Sequence, residues 1–490
     1  MCLRSSLVSR QCSPLAGFLQ PRRFRLQIVA TAKRSIFVIK VLKSDFNSVA
    51  FSTESLNLYP LPAGVADFLS SDEIPTSEDS QKQLGCHGIN RDRAGISRLV
   101  LLITQTCNLK CSYCFAEAYM GSCSHDGVMS SATACAAIEK VFENVPYLPE
   151  ILFFGGEPLI GFATIKEAVQ ASEKYCAAHQ AQMPVFTITT NGTLIDREVI
   201  EFFRRHNFSV TISLDGPRHI NDKQRQFLSG KGTYDIVKKN IDLLRNAGIE
   251  ISIEAVFTEN HRNYEETIES TYQFLRECGA RDICLTPAIG GPPDECLDGG
   301  FLADLEQSYT SSTERIMDSW LTDSPIRMPY WFDILDALIS QNGKTYFCGA
   351  GYKGITVDCS GKVFPCYTLM GDSLYMGSVY DREFPGEDFR RVTSLMRQTS
   401  KDSFPKCVKC WAKKLCSPCY GDAFAACGTL SAPRESICVI IRSVAKTILL
   451  KVAEFMPDEV KWNRFVENVN RSRVRFNTDC INTLTPRPLI

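Results

Sequence analysis

The sequence predicts an α/β protein built mainly on a parallel sheet that curls into a partial (β/α)6, TIM-like barrel. Two observations predict this fold class: strand-like and helix-like patterns alternate from Arg98 to Thr286, and each of the strand patterns is short. A third observation is that this periodicity is lost after Tyr346, where cysteine, glycine and aromatic residues become frequent. We therefore expect a barrel followed by a small cysteine-rich domain, with a small module at the amino end.

Length, charge and hydropathy limit the partners of the chain. With 490 residues it is long enough for two or three domains with their own cores. Its formal net charge of −1 gives no reason to expect nucleic acid as a partner. The most apolar stretch, Ile437 to Val452, is interrupted by Arg442 and Lys446 and is shorter than a transmembrane helix, so no membrane partner is expected.

Cysteines are frequent, 22 in all, and are bunched at 107–114, 348–366 and 407–438. Such short spacings in a large α/β protein favour metal binding over disulfides, and hence a reducing compartment, which we expect to be the cytoplasm. The first 43 residues contain no Asp or Glu and are rich in Arg and Ser. Residues 1–34 are therefore interpreted as a disordered extension, with an organellar targeting segment as the alternative.

Residues 35–83 are expected to form a small N-terminal module and its linker. Alternating patterns at 35–41 and 48–51 predict two short strands, and 64–69 predicts a helical turn. The stretch 70–83 is rich in Ser, Asp, Glu and Pro, which is typical of a linker.

The barrel is expected at residues 95–325. Ser130 or Ser131 is the expected N-cap of its first helix. Helices at 302–321 and 331–340 are predicted to lead from the barrel to the next domain. The predicted barrel strands are 99–104, 150–155, 185–190, 209–214, 249–256 and 282–286, and the predicted barrel helices are 131–145, 162–179, 197–205, 234–247 and 264–278.

The cysteine-rich domain is expected at 340–445, and a helical tail at 446–490. The segments 354–357 and 362–364 predict a small hairpin that turns at Ser360-Gly361. A domain this small and cysteine-dense buries little apolar surface, so we expect bound metal to stabilise it. The last helices are predicted at 437–455 and 460–470.

Cys107, Cys111 and Cys114 lie on a loop that leaves the carboxyl end of the first barrel strand, where α/β folds place their chemistry. Their spacings let three thiolates converge on one inorganic centre. Tetrahedral zinc takes four ligands, whereas an iron–sulfur cubane held by three cysteines leaves one iron open. We interpret the loop as an iron–sulfur site; the alternative is a structural zinc loop with a distant fourth ligand.

The C-x3-C-x2-C spacing, with Tyr113 before the last cysteine, resembles the radical S-adenosylmethionine (SAM) superfamily. The tetrapeptide Gly155-Gly156-Glu157-Pro158, at the end of the next strand, is similar to the GGEP motif of that superfamily, with an ordinary βα turn as the alternative. The resemblance implies a [4Fe-4S] cluster on Cys107, Cys111 and Cys114, whose open iron takes the amino and carboxylate groups of SAM.

The resemblance also implies which residues bind SAM. Glu157 and nearby backbone groups are expected to bind its cationic amino group. Arg225 is expected to bind its carboxylate, with a solvated surface arginine as the alternative. Polar residues around Asn191 and Ser213, which end two further strands, are expected to touch the ribose and carboxylate. The implied SAM-binding residues are Tyr113, Gly155, Gly156, Glu157, Asn191, Ser213, Arg225 and Leu285.

The C-terminal cysteines resemble the SPASM extension of the same superfamily, which binds two auxiliary iron–sulfur clusters. One spacing departs from the commoner form, because two residues rather than three separate Cys416 from Cys419. The resemblance implies that auxiliary cluster I is held by Cys348, Cys366 and Cys419, and auxiliary cluster II by Cys407, Cys410, Cys416 and Cys438.

The fourth ligand of auxiliary cluster I stays open at this point. Cys359 and Cys427 are candidates, and a cluster with three ligands that is open to substrate is equally consistent with the sequence. For the whole region, a pair of zinc sites is the alternative, because thiolate ligands serve both metals.

These resemblances imply an enzyme that cleaves SAM to a 5′-deoxyadenosyl radical and modifies a peptide or protein. We expect thioether or carbon–carbon crosslinking of a ribosomally made peptide, because auxiliary clusters can accept an electron or bind a substrate thiolate. The nearest alternative is anaerobic sulfatase maturation, in which Cys or Ser is oxidised to formylglycine. In those relatives an aspartate after the second SPASM cysteine acts as base. Tyr367 occupies that position here, which counts against this alternative and makes Tyr367 a candidate catalytic residue.

An alternative of another class is a non-catalytic iron–sulfur electron carrier. A carrier needs no SAM pocket, so the presence of the GGEP motif, Ser213 and Arg225 together counts against it. A radical SAM enzyme also needs a source of electrons, so the resemblance implies a reducing partner such as flavodoxin or ferredoxin.

Overall fold

The structure is a computed structural model that describes residues 39–43, 48–53, 55–60, 95–114, 127–145, 147–288, 299–340 and 342–479. The predicted extension at 1–34, the helical turn at 64–69 and the linker at 70–83 lie outside these residues.

The secondary structure alternates between strands and helices through the middle of the chain. The strands, in chain order, are β1 (Ile39–Lys43), β2 (Ser48–Ser52), β3 (Leu58–Pro60), β4 (Arg98–Thr104), β5 (Leu109–Cys111), β6 (Glu150–Gly155), β7 (Val185–Thr190), β8 (Ser209–Ser213), β9 (Arg225–Phe227), β10 (Ile251–Phe257), β11 (Asp282–Pro287), β12 (Gly354–Val357) and β13 (Val363–Phe364). The helices are α1 (Ser131–Asn144), α2 (Phe162–His179), α3 (Arg197–Arg205), α4 (Arg218–Gln224), α5 (Tyr234–Asn246), α6 (Glu259–Asn263), α7 (Ile268–Glu277), α8 (Gly299–Ser319), α9 (Pro329–Ser340), α10 (Glu387–Gln398), α11 (Pro405–Val408), α12 (Tyr420–Cys427), α13 (Glu435–Phe455) and α14 (Glu459–Asp479).

The largest sheet has the strand order β11-β10-β8-β7-β6-β4-β12-β13, and its strands from β11 to β4 run parallel. This confirms the predicted fold class. The sequence did not predict that β12 pairs in parallel with β4, from Gly354 beside Arg98 to Val357 beside Leu101. The predicted hairpin of β12 and β13 therefore extends the barrel sheet instead of standing apart from it.

The barrel strands bury apolar side chains on one face and present a mixture of apolar and polar side chains on the other. In β7, Phe186 and Ile188 belong to the main core, whereas Thr187 and Thr189 line a central cavity. Because side chains alternate along a strand, the same pattern repeats around the sheet. The outer face thus holds the helices by apolar packing, and the inner face leaves space for a ligand.

Helix bounds follow the sequence closely, with one informative exception. The predicted helix at 264–278 begins only at Ile268, as α7, and the short α6 precedes it; Glu265 between the two helices has a φ of +58°, which a right-handed helix cannot contain. Thr267 then caps α7 by accepting a hydrogen bond from the backbone N–H of Ser270. The predicted cap of α1 is confirmed, since the Ser130 side chain accepts from the Thr133 N–H.

Helix α13 contacts both the small N-terminal sheet and a helix that follows the barrel. This helix packs against α8 and against the small antiparallel sheet of β1, β2 and β3. Phe51 of β2 is fully buried and its ring meets Trp411 edge-on, with 6.2 Å between ring centroids. In the described part of the chain, no helix combines the length and apolarity that crossing a membrane requires.

Candidate active site

The loop that carries Cys107, Cys111 and Cys114, here called the cysteine loop, leaves the carboxyl end of β4. Its middle forms β5, which pairs antiparallel with β9 so that Cys111 lies opposite Arg225. The Ser112 N–H donates to the Gln224 carbonyl at 3.0 Å and continues this pairing. Sequence reasoning missed both strands, because three residues are too few to show a period.

The three thiols of the cysteine loop lie close enough to influence one another. Burial raises the pKa of Cys111 to about 11, and the neighbouring Cys114 and Cys107 act in the same direction. Burial also raises the pKa of Cys107, with Glu157 and Cys114 contributing. Cys114 is exposed. The loop therefore presents three thiols at one end of the barrel, one of them at the surface.

Gly155 and Gly156 let the end of β6 dock against the backbone of the cysteine loop. A Cβ atom at Gly155 would lie 2.1 Å from the Thr104 carbonyl oxygen, and one at Gly156 would lie 2.3 Å from that of Thr106. The Gly156 N–H donates to Thr104 at 2.7 Å, and the Glu157 N–H donates to Thr106 at 3.0 Å. Glycine is therefore required at these positions by close backbone approach.

Glu157 links the end of β6 to the end of β7 by hydrogen bonds. Its side chain is fully buried, and Oε1 accepts hydrogen bonds from the Leu159 N–H at 3.0 Å and the Thr190 hydroxyl at 2.7 Å. Its Oε2 accepts from the Asn191 N–H at 2.6 Å. Burial raises the pKa of Glu157, and these donors oppose that shift. These three donors hold the carboxylate in place, and the contact with the amino group of SAM expected from the sequence stays a prediction.

Asn191 links the end of β7 to the cysteine loop. Its side-chain amide donates to the Asn108 side-chain oxygen at 2.8 Å and to the Cys107 sulfur at 3.7 Å. The same side chain accepts from the Thr193 N–H at 2.9 Å. Asn191 therefore orients the loop at its first cysteine.

A buried network surrounds Arg225. Its Nη1 donates to the Tyr113 hydroxyl at 2.5 Å and lies 3.7 Å from the Asp215 carboxylate. The Tyr113 hydroxyl donates to Asp215 at 2.6 Å. Arg225 is only 8% exposed, which excludes the solvated-surface alternative, and its Nε has no acceptor among the described residues. A buried guanidinium with an unused N–H is suited to bind an anionic group.

Asp215 is the residue at this site that sequence reasoning missed. It is completely buried and also accepts from the Val256 N–H at 3.1 Å and the Gln224 side chain at 3.2 Å. The available signal was its position directly after a strand and before Gly216-Pro217. Of the other predicted contacts, Ser213 ends β8 and is half-buried, whereas Leu285 is buried within β11.

Three C-terminal cysteines, Cys348, Cys366 and Cys419, form what we call the first cysteine group, and all three line the central cavity. Burial raises the pKa of Cys419 to about 12, with a contribution from Cys366. Burial likewise raises the pKa of Cys348, with contributions from Cys419 and Cys366. Burial also raises the pKa of Cys366, and Arg98, at the amino end of β4, opposes this shift. The first cysteine group therefore lies at the amino end of the barrel, opposite the cysteine loop.

The second cysteine group consists of Cys407, Cys410, Cys416 and Cys438. Burial raises the pKa of Cys416 to about 12, and the other three thiols add to this shift. Cys416 and Cys419 are close in sequence but belong to different groups, because the thiols near Cys416 are Cys438, Cys410 and Cys407, whereas the thiol near Cys419, the N-cap residue of α12, is Cys366. Lys401 lies beside this group, and burial lowers its pKa to about 8.

Two further cysteines were considered for the first group. The Cys359 thiol donates to the Leu102 carbonyl at 3.3 Å, and Cys427 is an exposed residue whose thiol donates to the Ala423 carbonyl at 3.1 Å. Neither lines the central cavity. Within the described ranges, no three His, Cys, Asp or Glu side chains are placed to hold one metal ion.

The central cavity has a volume of about 190 Å³ and lies inside the barrel. Its walls reach from Glu150 and Asp282, which begin their strands, to Pro287, which ends β11. Tyr367 enters from the cysteine-rich region and packs on Phe154, with 4.4 Å between ring centroids. The cavity thus joins the first cysteine group to the barrel interior.

Several hydroxyl groups line the central cavity without a partner. The side-chain oxygens of Tyr309, Tyr330 and Ser417 are buried and have no hydrogen-bond partner among the described residues. A buried hydroxyl without a partner costs free energy, on the order of 1–3 kcal/mol. These groups are therefore suited to bind polar atoms of a ligand.

Comparisons with known proteins agree with this geometry. The Radical SAM superfamily profile matches residues 101–271. A cysteine-type anaerobic sulfatase-maturating enzyme of Clostridium novyi is 26% identical over 336 residues, which are 66% of this chain and 86% of that protein. A serine-type anaerobic sulfatase-maturating enzyme of Bacteroides thetaiotaomicron is 27% identical over 311 residues, 58% of this chain and 72% of that protein. Among solved structures, native anSMEcpe with bound AdoMet and Cp18Cys peptide has a TM-score of 0.60 at 19% identity, and the match covers 76% of this chain and 99% of that one.

Proposed function

Since the chain is an enzyme of the radical SAM superfamily, in its SPASM branch, we propose that it oxidises a Cys or Ser side chain of a peptide or protein to the aldehyde, formylglycine. The observation that carries this proposal is the pair of relatives, one cysteine-type and one serine-type, each matched over most of its length. Peptide crosslinking, which the sequence analysis favoured, has less support from these relatives. We keep it as the second candidate.

The cofactors follow from the donor groups of the site. We assign a [4Fe-4S] cluster to Cys107, Cys111 and Cys114, SAM to the pocket beside Arg225, and auxiliary iron–sulfur clusters to the first and second cysteine groups. The exposed Cys114 and the unused Nε of Arg225 suit this assignment, because the pocket then offers thiol ligands and an anion-binding N–H together. When bound, the cluster and SAM supply a radical that removes one hydrogen atom from the substrate.

The substrate side chain is proposed to enter the central cavity. Its volume of about 190 Å³ suits a side chain with its flanking peptide groups, and its walls are mainly apolar with few polar groups. The unpartnered hydroxyls of Tyr309, Tyr330 and Ser417 are placed to bind amide groups of a peptide. The structure of anSMEcpe contains both AdoMet and a peptide, which supports a peptide partner for the same fold.

Oxidation to the aldehyde requires a base. After one hydrogen atom leaves the Cβ carbon, the substrate must lose one electron and the proton of its thiol or hydroxyl, so that a C=S or C=O bond forms; a C=S product then exchanges sulfur for oxygen with water. An iron–sulfur centre held by the first cysteine group would supply the acceptor for this electron. The proton needs a nearby carboxylate, because the Tyr367 hydroxyl has an ordinary pKa of about 10 and is a poor acceptor.

We propose Glu254 as this base. Glu254 lines the central cavity and lies beside Ser213 of β8 and Cys284 of β11 in the strand register. Three other carboxylates line the cavity: Glu150 and Asp282 are the first residues of their strands and so lie at the amino end, and Asp333 of α9 forms an ion pair with Lys344. Glu254 is the fourth residue of β10 and lies farther toward the carboxyl end, which is why we propose it as the base.

The test uses anaerobically reconstituted protein, a chemical reductant, SAM and a sulfatase-type peptide with a target cysteine. The expected result is 5′-deoxyadenosine together with a peptide about 18 Da lighter that reacts as an aldehyde, by simple atom counting for this radical-cofactor reaction. Glu254→Gln should lower aldehyde formation about a hundredfold or more, because general bases contribute on that order. Glu254→Gln should still cleave SAM. Tyr367→Phe is the matched control and should still form the aldehyde.

The second candidate is favoured by one observation, the packing of Tyr367 on Phe154 at the position where the relatives carry an aspartate base. Crosslinking would make the peptide about 2 Da lighter and give no aldehyde, since two hydrogens are lost and no oxygen enters. That product, from any peptide, would replace the oxidation proposal by the crosslinking one. Electrons for either reaction are proposed to come from a flavodoxin or ferredoxin.

A further inference from the structure

Lys401 is a buried cation beside the second cysteine group. Its side chain is 1% exposed, and its Nζ donates to three backbone carbonyls, those of Lys344 at 2.8 Å, Lys413 at 2.7 Å and Cys416 at 2.5 Å. One of these carbonyls belongs to a member of the second cysteine group. The lysine is therefore fixed against the group by its own hydrogen bonds.

The geometry requires the charged form of Lys401. An ammonium group has three N–H donors, whereas a neutral amine has only two. Three carbonyl oxygens within 2.8 Å use all three donors of the ammonium. Backbone carbonyls are neutral dipoles, so they orient this charge without cancelling it.

No carboxylate in the described residues forms an ion pair with Lys401. Beyond the carbonyls, the sulfur atoms of Cys416 and Cys407 and the carboxylate of Asp333 interact with Lys401, whereas Lys344 and Lys413 add positive charge. Buried charges are ordinarily paired, because an unpaired one costs several kcal/mol. The arrangement is balanced once the second cysteine group carries net negative charge, as four thiolates on a metal centre do.

We propose that Lys401 is a built-in charge that raises the reduction potential of the iron–sulfur cluster held by the second cysteine group. Adding an electron makes the cluster more negative, and a fixed neighbouring cation stabilises that reduced form more than the oxidised form. The cluster is thereby poised to accept an electron. This inference rests on the cofactor assignment of the proposed function, but it does not depend on which product the enzyme makes.

The experiment measures a potential, not activity. Cys107, Cys111 and Cys114 are replaced by Ala so that only the auxiliary clusters remain, and these are titrated with a redox mediator series followed by electron paramagnetic resonance. Lys401→Met should shift the reduced-to-oxidised ratio of one cluster at least tenfold toward the oxidised form at fixed potential. For a one-electron couple, this tenfold change corresponds to a reduction potential about 59 mV lower than that of the parent protein. In Lys401→Arg, which keeps the charge, the reduction potential should differ from that of the parent protein by less than half of this shift.

Lys409→Met is the matched control, because Lys409 is an exposed lysine on the same segment, next to Cys410 in sequence. The reduction potential of the cluster in Lys409→Met should equal that in the parent protein. If Lys401→Met loses the cluster, Lys401→Gln is used, since its amide keeps two donors without the charge. Loss of iron from both neutral variants but not from Lys401→Arg also supports an electrostatic action on the cluster, because Gln and Arg both keep N–H donors and only Arg keeps the charge.

Two results would overturn the inference. Full iron content with an unchanged potential in Lys401→Met would show that the charge does not act on the cluster, and loss of iron from Lys401→Arg as well would leave Lys401 a purely structural residue. Zinc instead of iron in the parent protein would overturn the cofactor assignment together with this inference. Absence of the aldehyde product alone would overturn only the proposed oxidation.

Discussion

Arg225 combines burial with an unused donor, and this combination is what suits it to a ligand carboxylate. Arg225→Ala should weaken SAM binding about tenfold to a hundredfold, because a charge-assisted contact contributes about 1.5–3 kcal/mol. The iron content of the protein should not change. Equilibrium binding of SAM to the reconstituted protein measures this effect.

The matched control is Arg218→Ala. Arg218 is an exposed arginine on the neighbouring α4 and pairs with Asp235 at the surface, so its loss should leave SAM affinity unchanged. Equal affinities for the Arg225 variant and the parent protein would remove Arg225 from the SAM pocket.

The sequence identified the ligand residues better than the residues that hold them. Cysteines and the GGEP motif are visible because the motifs are local in sequence. Asp215 and Lys401 are not, because their importance comes from burial and from partners far away in the chain, such as Tyr113 for Asp215 and Lys344 for Lys401. A lone Asp or Lys is ordinarily a solvated surface residue, so the strand-end position of Asp215 was a weak signal and Lys401 had none.

At the scale of elements, the docking of β6 on the cysteine loop depends on the two glycines of the GGEP motif. Gly156→Ala would place a methyl group 2.3 Å from the Thr106 carbonyl oxygen, and backbone on both sides would have to move. We expect this variant to lose the iron bound by the cysteine loop while it keeps the iron of the auxiliary clusters. Iron and sulfide analysis with paramagnetic resonance separates the two.

Gly354→Ala serves as the control for that substitution. Its nearest neighbour would be Arg98 at 3.8 Å, an ordinary van der Waals distance, so all iron should remain. Normal iron content at the cysteine loop of the Gly156 variant would mean that the loop tolerates displacement. The close approach of β6 would then have no role in holding the cluster.

Long, periodic elements could be predicted, and short pairings could not. The bounds of α2 and α3 agree with the sequence, because apolar residues recur at helical spacing over several turns. The pairing of β5 with β9 brings Arg225 to Cys111, yet each strand has three residues. Their pairing is decided by tertiary contacts such as the Tyr113 hydrogen bond and not by local pattern.

At the scale of the whole molecule, the site is arranged along the barrel. The cysteine loop lies at the carboxyl end of the strands, the central cavity fills the interior, and the first cysteine group closes the amino end beside Arg98. The sequence predicted a barrel and a cysteine-rich domain but not this order, because the pairing of β12 with β4 joins parts of the chain about 250 residues apart. This pairing is what directs the cysteine-rich region to the amino end of the barrel.

This separation predicts that the cysteine loop and the C-terminal groups load metal independently. Replacing Cys107, Cys111 and Cys114 by Ala should remove one cluster's worth of iron and sulfide and abolish SAM cleavage, because the remaining thiols lie in two other groups held by their own helices and strands. The auxiliary clusters should remain, and thermal unfolding should change little, since the cysteine loop lies at the edge of the core and Cys114 is exposed. Replacing Cys407 and Cys410 by Ala should instead destabilise the protein, because bound metal supplies folding free energy to a small cysteine-rich region. Loss of all iron in the first variant would show that the three sites assemble as one unit and would contradict their independence.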